Sequence, residues 1–162
     1  MDDIDHIKQQ WADQRPEFDT KPTELIGRLL RVSQFVSQQM ENTFAKHGLN
    51  QAGFDVLATL VREGPPHSLT PNGLLARMMV TSGTMTNRID QLEKQGLVRR
   101  QRSDRDRRSV VVTLTEKGLT VINATLEDHL ITQASLVSTL NIEQRGRLTG
   151  LLKEWQKGSQ IP

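Results

Sequence analysis

Apolar residues along this chain recur mostly three and four positions apart, the spacing of one face of an amphipathic helix. Leu25, Leu29, Val32, Val36, Met40 and Phe44 mark such a face between Pro22 and about His47, and Gly48 supplies the stop. A second predicted helix, from about Gln51 to Glu63, turns Phe54, Leu57, Ala58 and Val61 inward. It runs into Gly64, Pro65 and Pro66, which cannot continue it. Thr70 and Pro71 are the residue types of an N-cap and a first-turn proline for a short helix ending near Met79. Thr81 or Ser82 can cap the next helix, whose buried stripe is Met85, Ile89 and Leu92 and whose left-handed exit is Gly96.

After Gly96 the pattern changes. The runs LVRRQR and SVVVTL are alternating or β-branched and flank SDRDRR, which predicts two antiparallel strands joined by a charged loop. From Thr115 the helical spacing returns with Leu119, Ile122, Leu126 and Leu130, and Asn141 opens a last helix that carries Leu148, Leu151, Leu152 and Trp155. Asn141 with Gln144 resembles a capping box. The order helix, turn, helix, basic hairpin is a winged-helix layout, so the fold expected is mainly α: a winged helix-turn-helix with an α-helical dimerisation region. The lobe spans 51–114, the helical region comprises 21–50 and 115–162, and residues 1–20 form an extra N-terminal helix with Ile4, Ile7 and Trp11 at helical spacing. The long helices outside the lobe hold much apolar surface. A second copy of the chain is the economical cover for it, with an ordinary intramolecular core as the alternative.

Composition narrows the chemistry. With no cysteine, disulfides, thiol redox sensing and Cys-ligated metals are excluded, and a reducing cytosol is the natural home. No run approaches the length of a membrane span, and the acidic start MDDIDHIKQQ lacks the basic and apolar stretches of a secretory signal, so a soluble, cytoplasmic protein is expected. Aromatics are 4% of residues with no Tyr, which leaves little to build a stacking platform for single-stranded nucleic acid. His6, His47, His67 and His129 have no metal-ligand spacing, and no nucleophile elbow or phosphate-binding glycine loop occurs, so neither an enzyme nor a bound cofactor or metal is expected. The net charge is only +2, yet residues 77–108 hold nine of the 21 Lys and Arg against Asp90, Glu93, Asp104 and Asp106. That segregation is the footprint of polyanion binding.

With Met85, Ile89 and Leu92 turned inward, 100° per residue points Gly83, Thr84, Asn87 and Gln91 outward, with Ser82, Thr86 and Arg88 on the shoulders. Small polar side chains let a helix N-terminus approach the major groove, where amides and guanidinium forks address base edges. A winged helix used for protein contacts is the rival, and it calls for an apolar face there. The loop between the strands presents Arg105, Arg107 and Arg108, of a size and charge suited to a narrow minor groove, with Asp106 placed to orient Arg108. Two-fold symmetry predicts a pseudo-palindromic site in double-stranded DNA with half-sites about 10 bp apart.

The stretch TSGTMTNRIDQLEKQGLVRR followed by SDRDRRSVVVTLTEKG resembles the MarR family of bacterial transcriptional regulators over about Leu25 to Trp155. The resemblance implies a homodimer with winged-helix lobes, a dimer interface from the terminal helices and a ligand site between interface and lobe. It also matches Asp106 and Arg108 to the family's Asp-x-Arg of the wing. The segment IDHIKQQWADQRPEFD, read with FDVLATLVREGPP and MTNRIDQLE, is similar to the urate-responsive, HucR and PecS type branch of that family. By that resemblance Trp11, Asp55, Arg62 and Arg88 are the effector residues, and urate or a related purine or aromatic anion is the effector. The chemistry is coherent: Asp55 and Arg62 lie seven apart on one helix face, Trp11 is flat, and Arg62 is a planar cationic fork. Arg88 belongs to the recognition helix, so drawing it toward an anion re-aims the element that reads DNA. The expected function is a ligand-released repressor. A different phenolic ligand, or pH sensing through His47 or His129, is the alternative.

Overall fold

The computed structural model describes residues 2–78, 85–102 and 109–159. Ser82, Gly83, Thr84, Arg105, Asp106, Arg107 and Arg108, and the candidate cap Thr81, lie outside the described residues. The chain divides into two compact units, Met1–Asn42 and Thr43–Pro162. The elements in order are α1 (Asp3–Gln14), α2 (Lys21–Ala45), α3 (Gln51–Arg62), β1 (Ser68–Leu69), α4 (Pro71–Arg77), α5 (Met85–Lys94), β2 (Val98–Arg102), β3 (Val110–Leu114), α6 (Glu116–Leu136) and α7 (Ile142–Gly158).

In the first unit α1 lies along the start of α2 through exposed ion pairs. Lys8 meets Glu24 at 2.6 Å, Arg28 meets Asp5 at 2.6 Å, and Arg31 meets Asp3 at 2.9 Å. Asp2 caps α1 and forms a capping box with Asp5. No residue of α1 is buried. Exposed pairs are worth about 0–1 kcal/mol each, so α1 is held lightly. The inward stripe expected from Leu25 to Phe44 is only partly inward: Met40 and Phe44 are buried, while Leu25 and Val32 are 59% and 60% exposed. The spacing matches the helix, but one chain does not supply the cover for its first half.

The second unit is built around α3, which packs against α4, α5, α6 and β3. Phe54, Val56, Leu57 and Leu60 of α3 meet a core that includes Leu74, Ile89, Val112 and Ile122, each side chain nearly or fully buried. Burying a side chain of that size contributes about 1.5–3 kcal/mol. Asn50 caps α3, Thr70 caps α4 with Pro71 behind it, and Asn141 with Gln144 closes the expected capping box of α7. β2 and β3 pair antiparallel with Arg100 opposite Val112, as the alternating runs predicted. A short third strand, β1, adds to the other edge of β3, with Ser68 opposite Thr113. Two residues carry too little periodicity to be seen beforehand.

One junction organises this unit. Gly96 leaves α5 with φ +72°, and Leu97 N–H returns to the Leu92 carbonyl at 2.9 Å, a Schellman-type stop. The Leu97 carbonyl then accepts from both Thr115 N (3.1 Å) and Thr115 Oγ1 (3.1 Å). Thr115 Oγ1 also donates to the Gly96 carbonyl at 2.7 Å, and Lys117 Nζ donates to the Gln95 carbonyl at 2.8 Å. Gly118 sits so close above that a Cβ there would overlap the Leu97 carbonyl oxygen. The sequence TEKG is therefore a socket for the exit of α5.

Much apolar surface stays uncovered. Among the described residues of α7 none is buried, and Ile142, Leu151, Ile131 and Leu130 are between 62% and 88% exposed. Large apolar side chains exposed in such number are what an interface covers. No helix among the described residues is long and apolar enough to cross a membrane.

Because the obstacle at Gly118 is backbone rather than a movable side chain, Gly118→Ala is expected to destabilise the fold by about 3 kcal/mol or more. The midpoint of urea unfolding measures it. A midpoint equal to that of the parent would mean the junction yields freely.

Candidate functional site

The sequence of α5 sets its two faces. Met85, Ile89 and Leu92 are buried against the lobe, and Thr86, Asn87 and Gln91 are exposed, as the periodicity required. The outward face of the described part of α5 is thus short and polar, able to reach base edges and phosphates. Arg88 behaves differently. It is half-buried, and its Nη1 is sealed from solvent without a hydrogen-bond partner. That orientation suits an inward role for Arg88 better than one at a base edge.

Arg88 shares its side of the lobe with Asp55 of α3. The carboxylate of Asp55 accepts from Gln51 Nε2 at 2.9 Å through Oδ1, while Oδ2 is sealed without a partner. Burial raises the Asp55 pKa above its usual 3.8, opposed by the hydrogen bond from Gln51 and by the charges of Arg88, Arg62 and His129. The i, i+7 relation brings Arg62 to the same face. Its Nη2 donates to Thr59 Oγ1 at 2.9 Å, and no ion pair joins it to Asp55 among the described residues. Arg62, with Thr59, Glu63 and Arg77, lines an open cleft of about 350 Å³.

His129 of α6 is the residue that sequence reasoning did not assign to this site. Its ring stacks on Phe44 (centroids 5.5 Å apart) and tilts against Phe54 (4.8 Å), while those two phenyl rings stack at 4.3 Å. Its Nδ1 is a third sealed polar atom without a partner. Burial lowers the His129 pKa from 6.5, with the Asp55 carboxylate pulling the other way. Phe44 and Phe54 were visible as core positions, but only the fold shows that a histidine 75 residues beyond Phe54 enters their stack. The other histidine considered, His47, pairs through Nε2 with Asp128 Oδ2 at 2.9 Å.

Of the four predicted effector residues, the second unit thus holds Asp55, Arg62 and Arg88. Trp11 belongs to the first unit, on α1, where it is 44% exposed with its ring 6.4 Å from that of Phe18. No group of three or more His, Asp or Glu residues among those described has the geometry to hold a metal ion. An acidic pair on α5, Asp90 and Glu93, meets Arg100 of β2, an ionic cluster the sequence signalled only as two acids inside a basic block.

Comparison with known proteins adds to this geometry. The profile of the MarR family matches residues 49–110. Over 155 residues, covering 96% of this chain and 93% of the relative, the sequence is 36% identical to the HTH-type transcriptional regulator PecS of Dickeya dadantii. Among solved structures, Sco3205 of Streptomyces coelicolor, a MarR family transcriptional regulator in complex with DNA, superposes with a TM-score of 0.73 at 22% identity, covering 87% of this chain and 93% of that one. BpsR of Bordetella bronchiseptica, whose DNA binding is regulated by 6-hydroxynicotinic acid, superposes with a TM-score of 0.68 at 24% identity, covering 81% and 92%.

The half-buried histidine gives a pH test. His129 takes up a proton less readily folded than unfolded, so the unfolded state binds more protons as pH falls through 6.5 toward the lower folded value. Stability contributed by neutral His129 is therefore fully present above pH 6.5 and is lost as pH falls from there through the lower folded value. His129→Phe keeps the stack and removes the proton site. Urea midpoints at neutral and mildly acidic pH should show a smaller acid loss in the variant than in the parent; equal losses would assign the effect to other groups.

Proposed function

Because this chain belongs to the MarR family of DNA-binding transcriptional regulators, proteins named for regulation rather than catalysis, we propose that it is a cytoplasmic repressor released from its operator by a small planar anion. The preferred anion is urate. The observation that carries this reading is the set of three sealed, unpartnered polar atoms, Asp55 Oδ2, Arg88 Nη1 and His129 Nδ1, in the unit that also contains the recognition helix. Buried polar groups without partners cost about 1–3 kcal/mol each, so such a cluster persists where a ligand or a movement supplies the partner. Arg62 provides the cationic fork, and the family resemblance adds Trp11 as the flat stacking surface. An anion that engages Arg88 competes with the position α5 needs on DNA.

For the DNA-bound form the proposed contacts are Ser82, Gly83, Thr84, Thr86, Asn87 and Gln91 in the major groove, Arg88 at the edge of that surface, and Arg105, Arg107 and Arg108 in the minor groove with Asp106 orienting the last. The uncovered apolar faces of α2, α6 and α7 support a homodimer, whose two-fold symmetry calls for a pseudo-palindromic operator. A second reading, in which another aromatic acid is the effector, is supported by the likeness to BpsR. The BpsR structure makes 6-hydroxynicotinate the natural competitor to try.

Titrating urate into the protein on its own promoter fragment, followed by mobility shift and Trp fluorescence, tests the reading. Urate is expected to release the DNA, and Arg62→Ala to weaken the urate response about 10- to 100-fold while leaving ligand-free DNA binding nearly intact, as loss of one charge-assisted hydrogen bond predicts. No response of the parent protein to urate removes this effector, and a response to 6-hydroxynicotinate alone selects the second reading. For the dimer, Ile131→Glu with Leu151→Glu should halve the mass by sedimentation and weaken operator binding about 100-fold through lost bivalency. An unchanged mass would refute that interface.

A further inference from the structure

We propose that Arg100 is a positioning residue that masks two carboxylates of the recognition helix and ties that helix to the hairpin, without itself touching DNA. The proposal rests on the reading of α5 as the element that enters the groove. Arg100 is the third residue of β2, and its side chain is 29% exposed. Its guanidinium fork spans α5: Nη1 donates to Glu93 Oε2 at 2.5 Å and Nη2 donates to Asp90 Oδ1 at 2.5 Å. Its backbone N–H donates to Glu93 Oε1 at 2.8 Å, and Nη2 reaches the Thr86 carbonyl at 3.5 Å. Four contacts from one residue thus run over two turns of the helix.

The chemistry explains why an arginine stands there. Asp90 and Glu93 are three apart, so they share a side of α5. Left bare, two carboxylates on a helix that approaches phosphates oppose binding, because like charges brought together across an interface are repulsive. A planar fork satisfies both at once, where an ammonium is a single point charge. The Glu93 carboxyl is held below the usual range, first by the Arg100 backbone N–H and then by its side chain, so the acid stays ionised and bound. Two of the four acids in the basic block are thereby consumed by one of its nine cations. Arg100 cannot meanwhile serve as a free phosphate ligand, since both of its terminal nitrogens are engaged. Arg102, two residues further along the same strand face and exposed, provides the contrast.

The test is a thermodynamic cycle on the full chain. Dissociation constants are measured across a salt series for a duplex carrying the chain's own promoter fragment and for a scrambled duplex of equal length. Arg100→Ala should weaken promoter binding at least about tenfold while leaving the slope of log K against log salt unchanged, because no phosphate contact, worth about 0.9 in that slope, is lost. Arg102→Ala supplies the positive control for a reduced slope. Asp90→Asn with Glu93→Gln should change affinity less than about threefold when Arg100 is present, yet recover about tenfold when added to Arg100→Ala, a non-additivity that marks direct coupling.

Arg100→Lys, which keeps a charge and the fold, should fall between parent and Arg100→Ala in promoter-over-scrambled preference. A slope lowered by about 0.9 in Arg100→Ala would make the residue a phosphate contact, and additive effects across the cycle would end the masking role. If Arg100→Ala unfolds, Arg100→Lys carries the test, and parental preference in that variant overturns the proposal. A parent protein that prefers neither duplex removes instead the reading of α5 on which the proposal stands.

Discussion

The first turn of α6 stands on the peptide that leaves α5, and most of the lobe's geometry depends on that contact. Thr115 and Lys117 together satisfy the carbonyls of Gln95, Gly96 and Leu97, the groups that a terminating helix otherwise leaves to water. Gly118 permits the approach because it has no side chain. α5 and the long helix that follows the hairpin are thus joined by one backbone hydrogen bond and by the Thr115 and Lys117 side chains. A tight contact of that kind leaves little slack between them, since packed interiors deform poorly.

Charge is used in three ways in this chain, and burial separates them. The pairs between α1 and α2 lie at the surface and are individually weak. The fork of Arg100 is half-sheltered and closes on two carboxylates of α5. The third use is the least settled energetically. Asp55, Arg88 and His129 each hold a polar atom away from water without a partner, and the pKa values of Asp55 and His129 move in the direction burial demands. Low local dielectric makes such unpaired polar atoms costly.

Much of this was legible beforehand because it is local. The caps Thr70 and Asn141, the left-handed exits at Gly48 and Gly96, the buried stripe of α5 and the paired strands all follow from residue type and period over a few positions. The stripe of α2 illustrates the boundary. Its period correctly gave the helix, but period does not say what covers the face, and Leu25 to Val32 lie bare in the single chain. β1 was missed because two residues define no alternation, and its pairing is decided by β3, 45 residues away.

By itself, then, the sequence determined the elements, their order, the polar face of α5 and the family to which the whole belongs. Those are written in short-range spacing and in motifs whose residue types are chemically constrained. Tertiary structure alone decided that His129 joins Phe44 and Phe54, that Arg88 Nη1 is sealed from solvent, and that Arg100 closes on Asp90 and Glu93. Each of these depends on which of several staggered side-chain directions survives dense packing among residues distant in sequence. No period along a single chain encodes that choice.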